Sequence, residues 1–405
     1  MRLDVSERQD LYYQQRGISP TYKGLASARE LDEHERRRAG LLVEKLHLPP
    51  RLFRGARLVE FGPDSGENAL VFARWGAEVT LVEPNPSSWA NIQAYFERFG
   101  LRERLRDLVK VDLEGFQSQE RFDIVVAEGF VYTIPDAVWI GLFTRILAED
   151  GLGLISYYEA YGSLMDLVLR AIHARMRALT HLESQAIAAK LFQTKWDSVP
   201  HTRTLATWVM DVLENPSVRL RYFFDARALC ARLAEAGFSL YSSWPAYTDG
   251  LRVHWHKLDV PKAQRQAQDA KFIARNSLSV ALGTTLFCCA ESEATVMSMR
   301  ASLRDVLESM DQLIDALDPE AIARGLHALG QLEELLRHAP FLADSPQDKP
   351  QALRLIRGLQ QLLRWLAAGE AERVMQWCNT DPAFIACWGL PHHFAVFRKA
   401  RGVSA

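Results

Sequence analysis

Short apolar runs separated by helix-like stretches recur through the first 290 residues of this 405-residue chain. A short continuous apolar run predicts a buried strand, and apolar positions three or four apart predict one face of a helix. The predicted strands are residues 57–61, 79–82, 108–111, 122–127, 152–156, 238–242 and 284–290. Because strands and helices alternate, the first five strands are expected to run parallel in a doubly wound α/β sheet.

Helical spacing dominates two other regions. An insertion at about 161–215 is mostly helical by its apolar period, and leucine-rich faces recur beyond residue 290 until a short predicted strand at 393–397. The pattern predicts an N-terminal helical segment over 1–50, a sheet domain over 51–290 and a helical C-terminal domain over 291–405. The C-terminal helices are interpreted as a bundle for packing or homo-oligomerisation, or alternatively as an element that recognises the substrate.

The segment ARLVEFGPDSGENALVFARWGAEVTLVEPNP reads as strand, tight glycine turn, helix and second strand. Glycine is needed where the backbone has a positive φ or lies against a ligand. The spacing of Glu60, Gly62 and Gly66 resembles the acidic-x-Gly-x-Gly-x-Gly motif of class I S-adenosylmethionine-dependent methyltransferases. Glu83, which closes the second strand, resembles their ribose-binding acid. Asp64 stands where that family has its middle glycine.

This resemblance implies a fold as well as a cofactor. The fold is a doubly wound, seven-stranded, mostly parallel sheet of the class I methyltransferase type, with a helical insertion and an α-helical C-terminal domain. Its seventh strand pairs antiparallel beside the sixth, so the catalytic domain is expected to close near Ala290, and a chain ending there is expected to bind S-adenosylmethionine. The resemblance also implies a lid; its candidates are Tyr12, Tyr13, Arg16 and Tyr22, and simple packing of these aromatic residues is the alternative.

The cofactor-binding residues follow from the same resemblance. They are Glu60, Gly62, Asp64, Gly66, Glu83, Asp112, Leu113 and Glu128. Asp112 is expected to accept a hydrogen bond from the adenine amino group while Leu113 packs on the ring; a turn carboxylate is the alternative for Asp112. Glu128 is expected to bind the cofactor's amino group or a donor on the substrate, and a surface carboxylate is the alternative.

The acceptor of the methyl group is expected to bind beyond the fifth strand, where an aromatic and acidic cluster leads into the helical insertion. Such a composition suits a shaped pocket with a few polar groups. His201, within the insertion, is interpreted as a general base or as a structural histidine. The residues assigned to catalysis are Glu128, Tyr157 and His201, and those assigned to the acceptor are Tyr158, Glu159 and Arg203.

Composition limits the partners of the chain. The 48 lysine and arginine residues against 50 aspartate and glutamate residues give a net charge of −2, which offers no bulk attraction to nucleic acid. The five cysteines show no zinc-ligand spacing, so no metal is expected. A charged N-terminus and the lack of a long apolar run predict neither a signal peptide nor a membrane span, and hence a cytoplasmic location.

These observations together predict an S-adenosylmethionine-dependent enzyme that methylates an oxygen or nitrogen atom. The loop and insertion are similar to those of bacterial methyltransferases that act on surface glycans or glycan precursors. Three alternatives remain open: methylation of a protein or peptide, a nicotinamide-type Rossmann domain, and a non-catalytic interaction module that retains the cofactor fold.

Overall fold

The computed structural model describes residues 12–13, 24–201, 203–249, 261–289 and 292–399. Contacts divide the chain into two compact units. Unit 1 consists of Met1–Tyr157, Ala228–Tyr247 and His393–Ala405, and unit 2 consists of Tyr158–Arg227 and Thr248–His392. Both units are therefore assembled from segments that are distant in the sequence.

The regular elements follow the chain in this order. The strands are β1 (Arg57–Phe61), β2 (Glu78–Val82), β3 (Leu105–Val109), β4 (Phe122–Glu128), β5 (Leu147–Tyr158), β6 (Phe238–Trp244), β7 (Leu286–Cys288), β8 (Phe341–Ala343) and β9 (His392–Lys399). The α-helices are α1 (Ala28–Leu42), α2 (Glu67–Arg74), α3 (Pro86–Arg98), α4 (Asp136–Ile146), α5 (Leu164–Thr180), α6 (Ser184–Trp196), α7 (Leu205–Trp208), α8 (Ala226–Glu235), α9 (Lys262–Arg275), α10 (Ser277–Leu282), α11 (Glu293–Asp315), α12 (Pro319–His338), α13 (Asp348–Ala368), α14 (Ala371–Thr380) and α15 (Pro382–Ala386).

The large sheet of unit 1 has seven strands in the order β3-β2-β1-β4-β5-β9-β6. The pairs β1–β2, β1–β4, β2–β3 and β4–β5 are parallel, whereas β6 and β9 are antiparallel. The strands β1, β2 and β4 are almost completely buried, because helices of an α/β fold cover both faces of such a sheet. The prediction of a seven-stranded, mostly parallel sheet is confirmed.

The predicted identity of the seventh strand is wrong. The run at 284–290 contributes β7, which pairs with β8 in a separate two-stranded sheet. The place beside β6 belongs to β9, whose Phe397 packs where a side chain on Gly153 would clash. Both runs are short and apolar, and apolar pattern alone does not distinguish which of them enters the main sheet. The sheet therefore does not close near Ala290 but near the end of the chain.

Helix α1 is anchored within unit 1 by contacts with helices α2 and α3. Its N-terminus has a capping box, in which Ser27 accepts from the backbone of Glu30 and the Glu30 carboxylate accepts from the backbone of Ser27. The Leu25 N–H donates to the Tyr95 hydroxyl at 3.1 Å, and the Trp75 indole donates to Glu35 at 2.7 Å. The docking of α1 gives the expected N-terminal segment a fixed place in unit 1.

The lid predicted at the N-terminus stays a prediction. Tyr12 and Tyr13 are helical, and Tyr12 is buried. Arg16 and Tyr22, the other two candidates, lie outside the described residues.

Unit 2 is mainly helical. Helix α12 packs between α11 and α13, α5 packs on α11, and α14 packs on α6. The insertion and the C-terminal helices thus lie together in unit 2, and the domain boundaries expected from the sequence stay a prediction. The search of the described residues found no helix with the length and apolar character needed to cross a membrane.

Candidate functional site

The carboxyl ends of the central strands meet at one edge of the sheet in unit 1. Phe61 at the end of β1 is in register with Val82 at the end of β2 and with Ala127 in β4. The residues that follow these positions therefore share an edge. In open α/β sheets this edge is where ligands bind.

The loop from β1 to α2 has three residues with positive φ. Gly62 has a φ of 62°, Asp64 of 51° and Gly66 of 92°. Aspartate is one of the few residues that adopt this conformation at modest cost. The Asp64 carboxylate also accepts a hydrogen bond from the Ser88 hydroxyl at 3.3 Å. Asp64 therefore occupies a left-handed position within the glycine loop, where the family has its middle glycine.

Glu83 connects two loops at the end of β2. Its carboxylate accepts from the backbone N–H of Asp64 at 2.9 Å and from the backbone N–H of Asn85 at 2.8 Å. The side chain is buried, with 4% of its surface exposed. Glu83 therefore links the loop that follows β1 to the loop that follows β2.

Glu128 at the end of β4 is paired with Arg38, which was not among the site residues predicted from the sequence. Arg38 projects from α1 and donates to both carboxylate oxygens of Glu128, at 3.0 and 2.6 Å. Charge-assisted bidentate pairs of this kind are strong and fix orientation. The highly charged sequence of α1 was the available signal, but nothing in it singles out Arg38 from its neighbours.

Glu60 lies buried beside this pair, near the end of β1. Its pKa is raised to about 8, mainly by burial and also by the charges of Glu128 and Glu83, whereas the charge of Arg38 opposes the shift. Among the described residues, no hydrogen-bond partner reaches its Oε2 atom. A buried carboxylate oxygen without a partner is costly. The arrangement suits a cationic or hydrogen-bond-donating ligand.

The predicted adenine contacts follow β3. This strand ends at Val109, so Asp112 does not follow it at once as expected. Asp112 is exposed, and its carboxylate accepts from the backbone N–H of Gly115 at 2.7 Å, whereas Leu113 is buried. This bond is the turn role that the sequence left open, and the adenine contact stays a prediction.

Tyr157 belongs to a buried polar chain in unit 1. Its hydroxyl is hydrogen-bonded to the hydroxyl of Tyr247, which in turn lies 2.6 Å from Nδ1 of His393. Tyr157 has no exposed surface. A buried hydroxyl needs such partners, so this placement favours a structural role, and its assignment to catalysis stays a prediction.

Glu159 and His201, both in unit 2, also satisfy local partners. The buried Glu159 carboxylate accepts from the backbone N–H groups of Gly162 at 2.7 Å and Ala226 at 3.4 Å, and burial raises its pKa to about 7. His201 stacks on Trp196 with ring centroids 3.3 Å apart, and its Nε2 donates to the Trp196 carbonyl at 2.6 Å. These contacts favour structural roles for both side chains, and their functional assignments stay predictions.

Tyr158 and Arg203 both belong to unit 2, where Tyr158 is the centre of a group of three rings, called here the Tyr158 cluster. It consists of Tyr158, Phe223 and His392. The ring centroid of Tyr158 lies 5.1 Å from that of Phe223, on which it stacks, and 4.3 Å from that of His392. Arg203 is ion-paired with Asp211. Phe223 and His392 were not among the predicted site residues, because they come from distant parts of the chain.

Comparison with known proteins gives the family of the chain. The seven-stranded, mostly parallel sheet is that of the class I S-adenosylmethionine-dependent methyltransferases. A family model described as a methyltransferase domain matches residues 31–243, more than half of the chain, and the protein belongs to that family. The chain is thus a methyltransferase, and S-adenosylmethionine is its cofactor.

Solved structures similar to the chain include several methyltransferases. YjhP from E. coli is 13% identical, with 96% of this chain and 98% of that chain covered and a TM-score of 0.32. A putative sarcosine dimethylglycine methyltransferase from Galdieria sulphuraria is 12% identical, with 97% and 98% covered and a TM-score of 0.37. Magnesium protoporphyrin IX methyltransferase from Synechocystis, solved with bound S-adenosylhomocysteine, is 11% identical, with 60% and 92% covered and a TM-score of 0.37. Likenesses this weak carry no argument about the acceptor. Comparison with the curated proteins gave no match.

Proposed function

We propose that the protein transfers the methyl group of S-adenosylmethionine to an oxygen or nitrogen atom of a polar acceptor, a glycan or glycan precursor. The observation that carries the cofactor half of this proposal is the cluster at the sheet edge of unit 1. There the buried Glu60 is influenced by the charges of Glu83, Glu128 and Arg38.

The residues of this cluster fit the cofactor by chemistry. S-adenosylmethionine carries a sulfonium and an ammonium group, and the unpartnered buried oxygen of Glu60 is a suitable acceptor for the ammonium. Glu83 would bind the ribose, and Asp112 with Leu113 would hold the adenine. Gly62, Asp64 and Gly66 would let the backbone of the loop approach the cofactor.

When bound, S-adenosylmethionine supplies a methyl group on an activated leaving group. The protein then supplies mainly alignment, together with a group that removes the acceptor's proton where it has one. Arg38 would hold Glu128 in a fixed orientation within the cofactor cluster. The buried position of these groups strengthens their interaction with a charged ligand, because the local dielectric is low.

A carbohydrate acceptor is supported by the side chains present in unit 2. Sugars present an apolar ring face and several hydroxyl groups, which suits the stacked rings of Tyr158 and Phe223 and the charged groups of the Arg203–Asp211 pair. The nearly neutral chain also offers no general attraction to nucleic acid. A peptide acceptor is the competing outcome of the test below.

The cofactor half is tested by calorimetric titration with S-adenosylmethionine and, separately, with a nicotinamide dinucleotide. Only S-adenosylmethionine is expected to bind. Glu83→Ala should weaken its binding by about 1.5–3 kcal/mol, because a charged acceptor is lost. Glu78→Ala is the matched control, since Glu78 is exposed at the opposite end of the same strand. Equal affinities for the two variants would remove Glu83 from the site.

The acceptor half is tested with methyl-labelled S-adenosylmethionine and a fractionated bacterial extract. Label in the carbohydrate fraction, lost on removal of the enzyme, is expected. Label confined to protein would replace the glycan proposal by a peptide acceptor. Fractions with no label above the enzyme-free control would contradict the whole proposal.

A cytoplasmic location and a homo-oligomer built by the C-terminal helices are also proposals. The apolar faces of α11, α12 and α13 are buried within unit 2 of a single chain. Light scattering on the purified chain tests the oligomer, and a monomer at micromolar concentration would contradict it.

A further inference from the structure

Glu60 and Glu128 point to the same face of the main sheet in unit 1. Glu60 of β1 is in register with Val126 of β4, and Glu128 lies two residues beyond Val126 on that strand. Side chains two residues apart on a strand share a face, and neighbouring strands lie only about 4.8 Å apart. The two carboxyl groups are therefore neighbours, a placement that follows from the strand register.

Arg38 lies on this face because it pairs with Glu128. Its Nη1 and Nη2 atoms donate to the two carboxylate oxygens at 3.0 and 2.6 Å. Its guanidinium carbon also lies 5.8 Å from the centroid of the ring of Phe72, a buried residue of α2. The ion pair and the ring contact together hold the guanidinium in one orientation, so its remaining N–H groups have a fixed direction.

The guanidinium of Arg38 has a second edge, which the ion pair does not use. The planar group carries five N–H donors, and the pair with Glu128 uses Nη1 and Nη2. The Nε–H lies on the other edge, parallel to the remaining N–H of Nη2. Nε is buried, and among the described residues no acceptor reaches it. Such an edge suits a carboxylate, which accepts two parallel hydrogen bonds.

Glu60 presents the complementary unsatisfied atom. Its Oε2 is buried and accepts no hydrogen bond from the described part of the chain. The Nε of Arg38 and the Oε2 of Glu60 thus flank Glu128 without satisfying each other, and a buried polar atom without a partner is costly. A ligand that satisfies both atoms carries a cationic donor and an anionic acceptor close together, as an α-amino acid group does.

We propose that the second edge of Arg38 binds the carboxylate of the amino-acid group of S-adenosylmethionine, while Glu60 accepts from the ammonium of the same group. This inference rests on the proposed function and deepens it, because it gives Arg38 a direct contact with the cofactor in addition to its ion pair. It also accounts for the residue type on α1. A lysine can neutralise Glu128 but has no second planar edge.

Binding of a cofactor analogue tests the assignment without any turnover. Decarboxylated S-adenosylmethionine keeps the sulfonium and the ammonium and lacks only the carboxylate. Calorimetric titration of the full chain should give a dissociation constant about 10–100-fold larger for this analogue than for S-adenosylmethionine, because charge-assisted hydrogen bonds are lost. Equal dissociation constants would overturn the proposal.

Two substitutions assign each charged group of the ligand to its residue. Arg38→Lys keeps a counter-charge for Glu128 and removes the second edge. It should weaken S-adenosylmethionine binding about 10–100-fold and leave binding of the decarboxylated analogue within a few-fold. Glu60→Gln should weaken both ligands by similar factors, because both carry the ammonium. Arg29→Lys, at an exposed position of the same helix, is the matched control and should change neither. An Arg38→Lys chain that keeps the parent's preference for S-adenosylmethionine would contradict the carboxylate contact.

Glu128→Gln separates this contact from a purely structural role of Arg38. The amide removes the charge of Glu128 but keeps one oxygen acceptor for Arg38. If Arg38 acted only by holding Glu128, this variant would lose the preference for S-adenosylmethionine over the decarboxylated analogue, as Arg38→Lys does. We expect the preference to stay within a few-fold of the parent's. Equal loss in Glu128→Gln and Arg38→Lys would overturn the direct contact.

The proposed function and the present inference fail in different ways. If the cofactor half of the proposed function is wrong, the parent chain binds neither S-adenosylmethionine nor its decarboxylated analogue. If only the present inference is wrong, the parent chain binds both ligands with equal affinity.

Discussion

The cofactor edge of unit 1 and the Tyr158 cluster of unit 2 are built in different ways. At the cofactor edge, Glu83 accepts from two backbone N–H groups in loops that follow neighbouring strands. In the Tyr158 cluster, three rings pack on one another, and backbone hydrogen bonds at Tyr158 and Glu159 join the segments that carry them. The first group is polar and joined by hydrogen bonds to the carboxylate, whereas the second is held mainly by ring packing.

The largest effect on the cofactor edge is expected from removing β9. A chain ending at Ala290 lacks this strand, which lies beside β6 and β5 in the main sheet. Phe397 also packs against Phe238 and Phe143, with ring centroids 5.0 and 6.0 Å apart. We expect loss of cooperative unfolding and of S-adenosylmethionine binding, measured by calorimetry. A chain ending at Lys399 is the control. Full cofactor affinity in the shorter chain would restore the expectation made from sequence.

A smaller effect is expected from breaking the Arg38–Glu128 pair. Arg38→Met leaves the nearly buried carboxylate of Glu128 without its counter-charge. Burial already disfavours the charged form of the neighbouring Glu60, and loss of Arg38 disfavours it further. The free energy of unfolding should fall by about 3 kcal/mol. Arg29→Met is the matched control on the same helix, because the exposed Arg29–Glu33 pair should contribute less than about 0.5 kcal/mol. Denaturant titration measures both, and equal effects would contradict the structural role of Arg38.

The two regions also differ in how many of their residues could be predicted from the sequence. Glu60, Gly62, Gly66 and Glu83 lie within one strand–loop–helix–strand segment, so local pattern and spacing were enough to place them at one edge. Their detailed contacts were not predictable, because Arg38 reaches Glu128 from a helix far upstream.

The Tyr158 cluster could not be assembled from the sequence. Tyr158 was recognised from its position after the fifth strand, but Phe223 and His392 come from distant parts of the chain. The predicted strand at 284–290 was given the place that β9 takes beside β6, so the segment that contains His392 was not placed there. Long-range strand pairing of this kind has no local signature in a single sequence.

Asp166 is expected to make the stability of the protein depend on pH. Its pKa is raised to about 7, so the native state holds a proton that the unfolded state loses near pH 4. Stability from this group is therefore lost as pH rises from about 4 through 7. Asp166→Asn should raise the free energy of unfolding by about 1–3 kcal/mol at pH 8 and by little at pH 4. Asp305→Asn, on a helix in the same unit, is a control. An effect of Asp166→Asn that is independent of pH would contradict the raised pKa.

The smallest effect is expected at Asp64, where the glycine loop departs from its family pattern. The left-handed backbone costs aspartate little, and Asp64→Gly removes that cost but adds freedom to the unfolded chain. The relieved backbone cost and the added freedom of the unfolded chain nearly cancel. The free energy of unfolding should therefore change by no more than about 0.5 kcal/mol, and the cofactor affinity by no more than a few-fold. Asp64→Val should weaken cofactor binding more, because a β-branched residue resists positive φ and would displace the N–H that Glu83 accepts. Calorimetry on both variants decides the matter: a large gain in affinity for Asp64→Gly would show that the carboxylate hinders the approach of the cofactor.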